Sequence, residues 1–129
     1  MPKFYYGAHS SIAKGIVGAL KNIHKAGGNI AQIFISSPRG RGIKKRRDDE
    51  LKSIRDYQKK NNMKLVIHSP YVLNFAKPFS ASSWWLKQLM IELELGYKMN
   101  SIGSVVHFGK HLKLKRREGL VNMKKSFEY

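Results

Sequence analysis

Four times along 129 residues, a short apolar run is followed by a longer stretch whose apolar residues recur at helical spacing. The runs begin near Lys3, Asn29, Lys64 and Ile102. Such alternation builds a parallel sheet, because a helix is the usual crossover between parallel strands. Each unit has the size of a βαβ repeat, roughly 30 residues. Two closed arrangements satisfy the pattern. One is a small doubly wound sheet. The other is a set of consecutive (βα) units from an eight-stranded barrel, which runs to about 250 residues when complete. Length favours the small sheet. Two strands, however, deliver a histidine at the carboxyl end: Leu65-Val66-Ile67-His68 and Ser104-Val105-Val106-His107. A barrel converges its strand ends on one site, so these histidines fit the barrel better.

In chain order, Lys3 to Ala8 reads as the first strand, ended by His9. Ser10 and Ser11 are candidate caps for a helix carrying Ile12, Ile16, Ala19, Leu20 and Ile23, stopped by Gly27-Gly28. Asn29 to Ile35 reads as a buried strand, followed by a loop rich in Ser, Gly and Arg. Asp48-Asp49-Glu50 opens a second helix and Lys59-Lys60 closes it, charges placed to suit the helix dipole. Leu51, Ile54 and Tyr57 form its apolar side, and Asn61-Asn62 ends it. The third strand runs up to His68. Ser80, Ser82 and Ser83 are candidate caps for a third helix supported by Trp85, Leu86, Leu89, Met90, Leu93 and Tyr97, with Gly96 an early stop. Ile102 to Val106 is the fourth strand, and Glu118 to Phe127 a weakly amphipathic fourth helix. No linker or repeat divides the chain, so residues 1–129 are expected to form a single domain.

Charge narrows the partners. The net charge is +17, from 25 Lys and Arg against 8 Asp and Glu. That excess points to a polyanion, nucleic acid before an anionic membrane, with plain solubility as the bland alternative. Absence of cysteine excludes disulfides and thiolate metal sites, leaving His, Asp and Glu as ligands. No apolar run approaches the ~18 residues of a membrane span. Met1-Pro2-Lys3-Phe4 lacks the apolar core of a signal peptide. An intracellular protein without a membrane partner is expected.

If the third and fourth strands are neighbours, about 4.8 Å apart, His68 and His107 can point at one ion. Zinc–imidazole bonds of roughly 2.0–2.1 Å allow it. The alternative, favoured by spacing alone, is that each merely hydrogen-bonds at a strand end. His9 is a third histidine at a strand end, and His111 follows His107 by four residues in a stretch that Gly109 makes a loop. Arg39, Arg41, Lys44, Lys45, Arg46 and Arg47 form one basic cluster; Lys110, Lys113, Lys115, Arg116 and Arg117 form another. Both follow predicted strand ends, where phosphate contacts would give salt-dependent binding. Tyr71, between Pro70 and Val72, is an aromatic at a loop tip that can stack on bases or pack under its own loop. Gly-rich phosphate loops and a serine–histidine–acid arrangement are not found, and the carboxylates read as caps and helix surface.

Four segments together resemble one family. Gly7-Ala8-His9-Ser10-Ser11-Ile12-Ala13-Lys14-Gly15-Ile16 is similar to the amino-terminal motif of endonuclease IV, the zinc-dependent apurinic/apyrimidinic endonucleases. Ile33-Phe34-Ile35-Ser36-Ser37-Pro38-Arg39 resembles the second strand and its Pro-Arg loop. His68-Ser69-Pro70-Tyr71-Val72-Leu73-Asn74 resembles the His-x-x-Tyr-(Leu/Val)-x-Asn segment, and His107-Phe108-Gly109-Lys110-His111 the His-Pro-Gly-x-His segment. Lys14 replaces a frequent Gly and Phe108 the usual Pro.

The resemblance implies the amino-terminal half of a TIM barrel, an incomplete barrel of about four strand–helix repeats. It implies hydrolysis of the phosphodiester 5′ to an abasic site in double-stranded DNA, at a zinc centre. His68 and His107 would be ligands of one zinc. Tyr71 and Val72 would enter the duplex, and Arg39, Arg41, His9, Lys110 and His111 would contact DNA. The family's remaining ligands come from later strands, so the chain alone is expected to hold a partial zinc site. It would then be inactive alone, a non-catalytic DNA-binding remnant, or one subunit of a split enzyme. Its open edges would call for a homodimer or a complementary carboxyl-terminal half. A sugar-acting member of the wider xylose isomerase-like barrels is a further reading, which the charge disfavours.

Overall fold

The computed structural model describes residues 4–37 and 39–129. Eight elements follow in strict alternation: β1 (Gly7–His9), α1 (Ile16–Lys25), β2 (Ile30–Ile33), α2 (Asp48–Asn61), β3 (Lys64–His68), α3 (Trp84–Lys98), β4 (Ser104–Val105) and α4 (Arg116–Glu128). All pairings are parallel and the sheet order is β1-β2-β3-β4. This order settles the choice left by the sequence. A doubly wound sheet reverses its strand order at a switch point. Here each strand is laid beside its predecessor, always in the same direction, as in a barrel. Right-handed crossovers then put every helix on one face of the sheet.

The strands carry that division in their alternation. Ala31, Ile33, Leu65 and Ile67 are buried, and they share a core with Ile16, Ala19, Leu20 and Ile23 of α1 and Leu51 and Ile54 of α2. The alternate residues Ile30, Gln32, Lys64, Val66 and His68 face the other side and are only partly covered. Gly7 lets the first two strands meet, since a Cβ there would lie 1.7 Å from the Ile30 carbonyl oxygen. Gln58, buried on α2, donates through Nε2 to the Met99 carbonyl at 2.7 Å and ties α2 to the end of α3. A second cluster of Leu73, Phe75, Leu86 and Leu89 joins the loop after β3 to α3.

Several local expectations are corrected. The first strand begins at Gly7 among the described residues, and Lys3 lies outside them. Ser10 and Ser11 do not cap α1. Ser11 Oγ accepts from the Ala13 amide, a turn closes from Gly15 N–H to the Ile12 carbonyl, and Gly15 (φ 82°) precedes the helix. Ile12 still reaches the core, but from the turn. Ser83 occupies the N-cap of α3 without a side-chain capping bond. Gly96 does not stop α3; it sits inside the helix, where a Cβ would meet Ile67 Cδ1 at 2.8 Å. Met90, Leu93 and Tyr97 were expected on the apolar side of that helix but are exposed, Tyr97 to 86%. The buried side runs instead through Leu86, Leu89, Glu92 and Gly96.

Ile54 is fully buried between α2 and the sheet. Ile54→Ala is expected to lower unfolding free energy by about 2–5 kcal/mol, read from urea denaturation. Lys52→Ala, on the solvent side of the same helix, is expected to change it by less than about 1 kcal/mol.

Candidate metal centre

His68 closes β3, and His107 lies two residues beyond β4, which pairs with β3 through His68 and Val105. Parallel neighbours at their carboxyl ends bring the two rings together: His68 Nε2 and His107 Nε2 are 3.2 Å apart. His68 Nδ1 donates to the Ser69 carbonyl at 2.7 Å. A carbonyl only accepts, so the Nδ1 proton is fixed and the lone pair of neutral His68 is at Nε2. Outer hydrogen bonds of this kind are what orient metal-ligating imidazoles.

The separation tests zinc directly. Two nitrogens at roughly 2.0–2.1 Å from a tetrahedral ion stand about 3.3 Å apart. The observed 3.2 Å fits two ligands of one zinc. Among the described residues, no group of three His, Cys, Asp or Glu side chains converges. The pair therefore fits as two ligands, and catalytic zinc ordinarily takes three from protein.

An aromatic wall surrounds the pair. Phe34 stands between His9 and His68, with ring centroids at 4.6 and 5.1 Å. Tyr71 closes over the cluster, 5.8 Å from His68, 5.7 Å from His107 and 5.7 Å from Phe34. Tyr71 thus belongs to the centre while remaining 58% exposed. Val72, half-buried, packs on the Leu73, Phe75, Leu86 and Leu89 cluster and lines a cleft beside Tyr71 and His107. His9 accepts at Nδ1 from Gln32 Nε2, 3.1 Å away, which leaves its proton on Nε2. Desolvation, and then the nearby His68, hold His9 below the usual histidine range.

Of the remaining sequence candidates, Lys110 lines a cleft with Tyr71, Val72 and His107. Arg39 is exposed, and its neighbour Pro38 lies outside the described residues. Arg41 stacks on Trp84 of α3, its guanidinium carbon 4.0 Å from the ring centroid. Lys110 is exposed, and its backbone is held by Asn74. His111 is bonded through Nδ1 to the Leu114 carbonyl in a local turn.

Two residues given no role in the sequence reading organise the site. Asn74 accepts at Oδ1 from the amides of Ala76 and Lys110 and donates through Nδ2 to the Lys110 carbonyl, joining the loops after β3 and β4. Gly109 makes this possible: its φ is +95°, and a Cβ would fall 2.1 Å from Asn74 Oδ1. Glu92 of α3 is fully buried and accepts at Oε1 from Ser69 Oγ and, at 2.8 Å, from Ser104 Oγ. It binds the end of β3 to the start of β4, directly behind His68. Burial pushes its carboxyl up from the ordinary value, against the opposing pull of the two hydroxyls and His68. The signal in the sequence was its spacing, three residues after Leu89 and four before Gly96.

Comparisons with known proteins agree with this geometry. No family model matches the chain. A protein of Halothermothrix orenii named "Probable endonuclease 4" is 41% identical over 110 residues, covering 81% of this chain and 38% of the relative. One of the same name from Carboxydothermus hydrogenoformans is 32% identical over 121 residues, covering 91% and 42%. The crystal structure of endonuclease IV from Thermus thermophilus superposes with TM-score 0.76 at 25% identity, over 97% of this chain and 46% of that one. The chain is related to the endonuclease IV family. It spans about two fifths of the length of the curated endonuclease 4 relatives it matches. A D-tagatose 3-epimerase-like protein, at TM-score 0.63 and 17% identity, shares the fold with this endonuclease IV relative.

The raised carboxyl of Glu92 gives a pH signature. An acid whose folded pKa lies above its unfolded value binds more protons in the folded state, so stability falls as pH rises above the ordinary glutamate range. Glu92→Gln removes that loss. Its melting temperature relative to the native chain is expected to increase as pH rises through the ordinary glutamate range and to level off once the buried carboxyl ionises, measured by thermal denaturation at each pH.

Proposed function

We propose that this chain forms the amino-terminal part of an endonuclease IV-type DNA repair hydrolase, acting on the phosphodiester 5′ to abasic sites in duplex DNA. The observation that carries the reading is the Nε2–Nε2 separation of 3.2 Å between His68 and His107, with His68 held in the ligand tautomer. When bound, zinc would polarise the phosphoryl oxygen and supply hydroxide at neutral pH. The chain's own part is positioning. Asn74 and Glu92 fix the two strand ends, and Phe34 and Tyr71 wall the imidazoles. Tyr71 keeps an exposed ring face for a base or an abasic gap. Arg39, Lys110 and their basic neighbours would meet backbone phosphates, consistent with the charge of +17. His9, Arg41, Val72 and His111 support the reading less directly, because each is engaged within the fold.

Two ligands do not make a working centre, so the chain is proposed to be inactive alone and to need residues from a complementary half or a second copy. Exposed apolar groups support a covered surface: Met90, Ile91, Leu93 and Tyr97 on α3, with Ile102 and Val105 at the β4 edge. Among the described residues β1 and β4 are each paired on one side only, and an unpaired strand edge is a template for pairing. A DNA-binding chain without cleavage is the second reading, favoured by the absence of a third convergent ligand among the described residues.

The test is incision of a duplex carrying one abasic-site analogue, with zinc and with chelator, by the native chain and His68→Ala. The chain alone is expected to bind the duplex and leave it uncut. Adding a carboxyl-terminal half from an endonuclease IV relative is expected to give zinc-dependent incision that His68→Ala abolishes. Binding with no incision in any combination would leave only the DNA-gripping reading.

A further inference from the structure

Among the described residues, the outer edges of β1 and β4 are complementary to each other. In a strand, the peptide groups of successive residues point to alternate edges. Toward β2, β1 uses the Tyr6 carbonyl, which accepts from Asn29 N–H, and the Ser10 N–H, which donates to the Gln32 carbonyl. The peptide groups of Gly7 and His9 therefore point to the outer edge. Toward β3, β4 uses the Gly103 and Val105 carbonyls, which accept from the Ile67 and Ser69 amides. Those of Ser104 and Val106 therefore point outward. In parallel pairing, one residue exchanges its bonds with the residues just before and just after its partner. Gly7 can thus bond Ser104 and Val106 with Val105 as its partner, and every other allowed register differs by an even number. The faces agree as well. Val105 pairs with His68, and Gly7 and His9 pair with Ile30 and Gln32, all on the side away from the helices. Exposed apolar residues flank both edges, Tyr5 and Tyr6 on one and Ile102 and Val105 on the other.

We infer that two copies of this chain close one eight-stranded barrel, β4 of each pairing with β1 of the other about a two-fold axis along the barrel. The inference rests on the endonuclease reading for the role of the histidine pair, and it names the partner that completes the surroundings of that pair. Two parallel four-stranded sheets supply the eight strands. The stagger of such a barrel then fixes the register. Its shear is roughly eight residues over the full circuit, so symmetry assigns about four to each copy. One row of partners runs from His9 through Gln32 to Val66. Gly103 continues it, one residue before the Ile67–Ser104 pair. Gly103 must meet a residue of the second copy that lies about four from His9, either Tyr5 or Ala13. Ala13 sits in the turn before α1, where its amide donates to Ser11 Oγ, so Tyr5 is the partner. Val105 then meets Gly7, as the peptide groups require, and His107 meets His9. Across the seam, the Cα of the second copy's His9 stands about 4.8 Å from that of His107. Nδ1 of His9 is taken by Gln32, so His9 presents an Nε2–H donor to whatever the His68–His107 pair holds. Closure adds a donor to each pair and leaves its ligands at two.

The experiment measures mass and register on the full chain. It is run in high salt, because two copies of charge +17 repel and salt screens exposed charges. Light scattering is expected to give twice the 14.8 kDa of one chain. The sequence has no cysteine, so Tyr5→Cys combined with Gly103→Cys tests the register by oxidation. Across the seam these positions lie about 4.8 Å apart, within disulfide reach. Within one copy they sit at opposite edges of the sheet, three strand spacings apart, beyond the roughly 7 Å that a disulfide spans. Gly103 has open space for a side chain. A covalent dimer is expected from this pair, and none from Tyr6→Cys combined with Gly103→Cys, whose side chains take opposite faces. Val105, exposed in one copy, is covered at the seam. Val105→Glu lowers the repulsion yet places a carboxylate there, and it is expected to return the mass to that of one chain. A native chain that keeps the mass of one copy, equal cross-linking by both cysteine pairs, or a dimer indifferent to Val105→Glu would overturn the inference. Zinc uptake is read separately, by equilibrium dialysis. A single copy that binds zinc through His68 and His107 sinks the closed barrel and leaves the endonuclease reading standing. A cross-linked dimer that takes up no zinc leaves the barrel standing and sinks that reading.

Discussion

Parallel pairing in chain order, β1 to β4 without reversal, is the constraint from which the rest follows. Because each right-handed crossover turns the same way, the helices lie on one face and the carboxyl ends of all four strands lie on one rim. One side of the alternation, Ala31, Ile33, Leu65 and Ile67, is committed to the helices. The other side carries His9, Gln32, Val66 and His68 toward the space a barrel would enclose. Among the described residues, β1 and β4 are each paired on one side only, and α3 exposes apolar side chains.

Much of this was legible in the sequence, for physical reasons that differ by element. The second helix was read to within a residue because charge, apolar spacing and the Asn61-Asn62 stop all agreed; Asn62 indeed adopts the left-handed conformation. The third strand was read because Leu65 to Ile67 is a continuous apolar run ending in His68; the alternation of its burial emerges only in the fold. The turn from Ile12 to Gly15 was missed because Ser10 and Ser11 suit a helix cap equally well, and only the chain's path over β2 decides otherwise. Met90, Leu93 and Tyr97 misled because they sit at helical spacing, yet the face that meets the sheet is one step round, through Leu89, Glu92 and Gly96. Periodicity identifies a helix more reliably than it identifies which stripe is buried when the partner surface is incomplete.

The meeting of the two histidines was legible, and their supports were not. Strand ends placed His68 and His107 on one rim, while a shared zinc was what the resemblance implied. Nothing local marks Asn74 as the tie between two loops, since its partners lie 36 residues away. Glu92 was read as helix surface because glutamate rarely goes uncovered into a core. Its burial makes sense only once two serine hydroxyls from adjacent strand ends are seen to converge on it. Charge alone proposed a polyanion. The folded chain divides that charge: Arg41 is spent on Trp84, Arg46 is drawn inside, and Arg39 and Lys110 stay outside.

The central claim is that His68 and His107 are poised as two ligands of one zinc ion. The most direct measurement is X-ray absorption at the zinc edge on the zinc-loaded chain, beside His107→Ala. The account predicts a first shell containing two imidazole nitrogens at about 2.0–2.1 Å, with the remaining positions filled by solvent oxygen, and loss of bound zinc in the variant. A chain that retains no zinc, or a shell unchanged by His107→Ala, would contradict it.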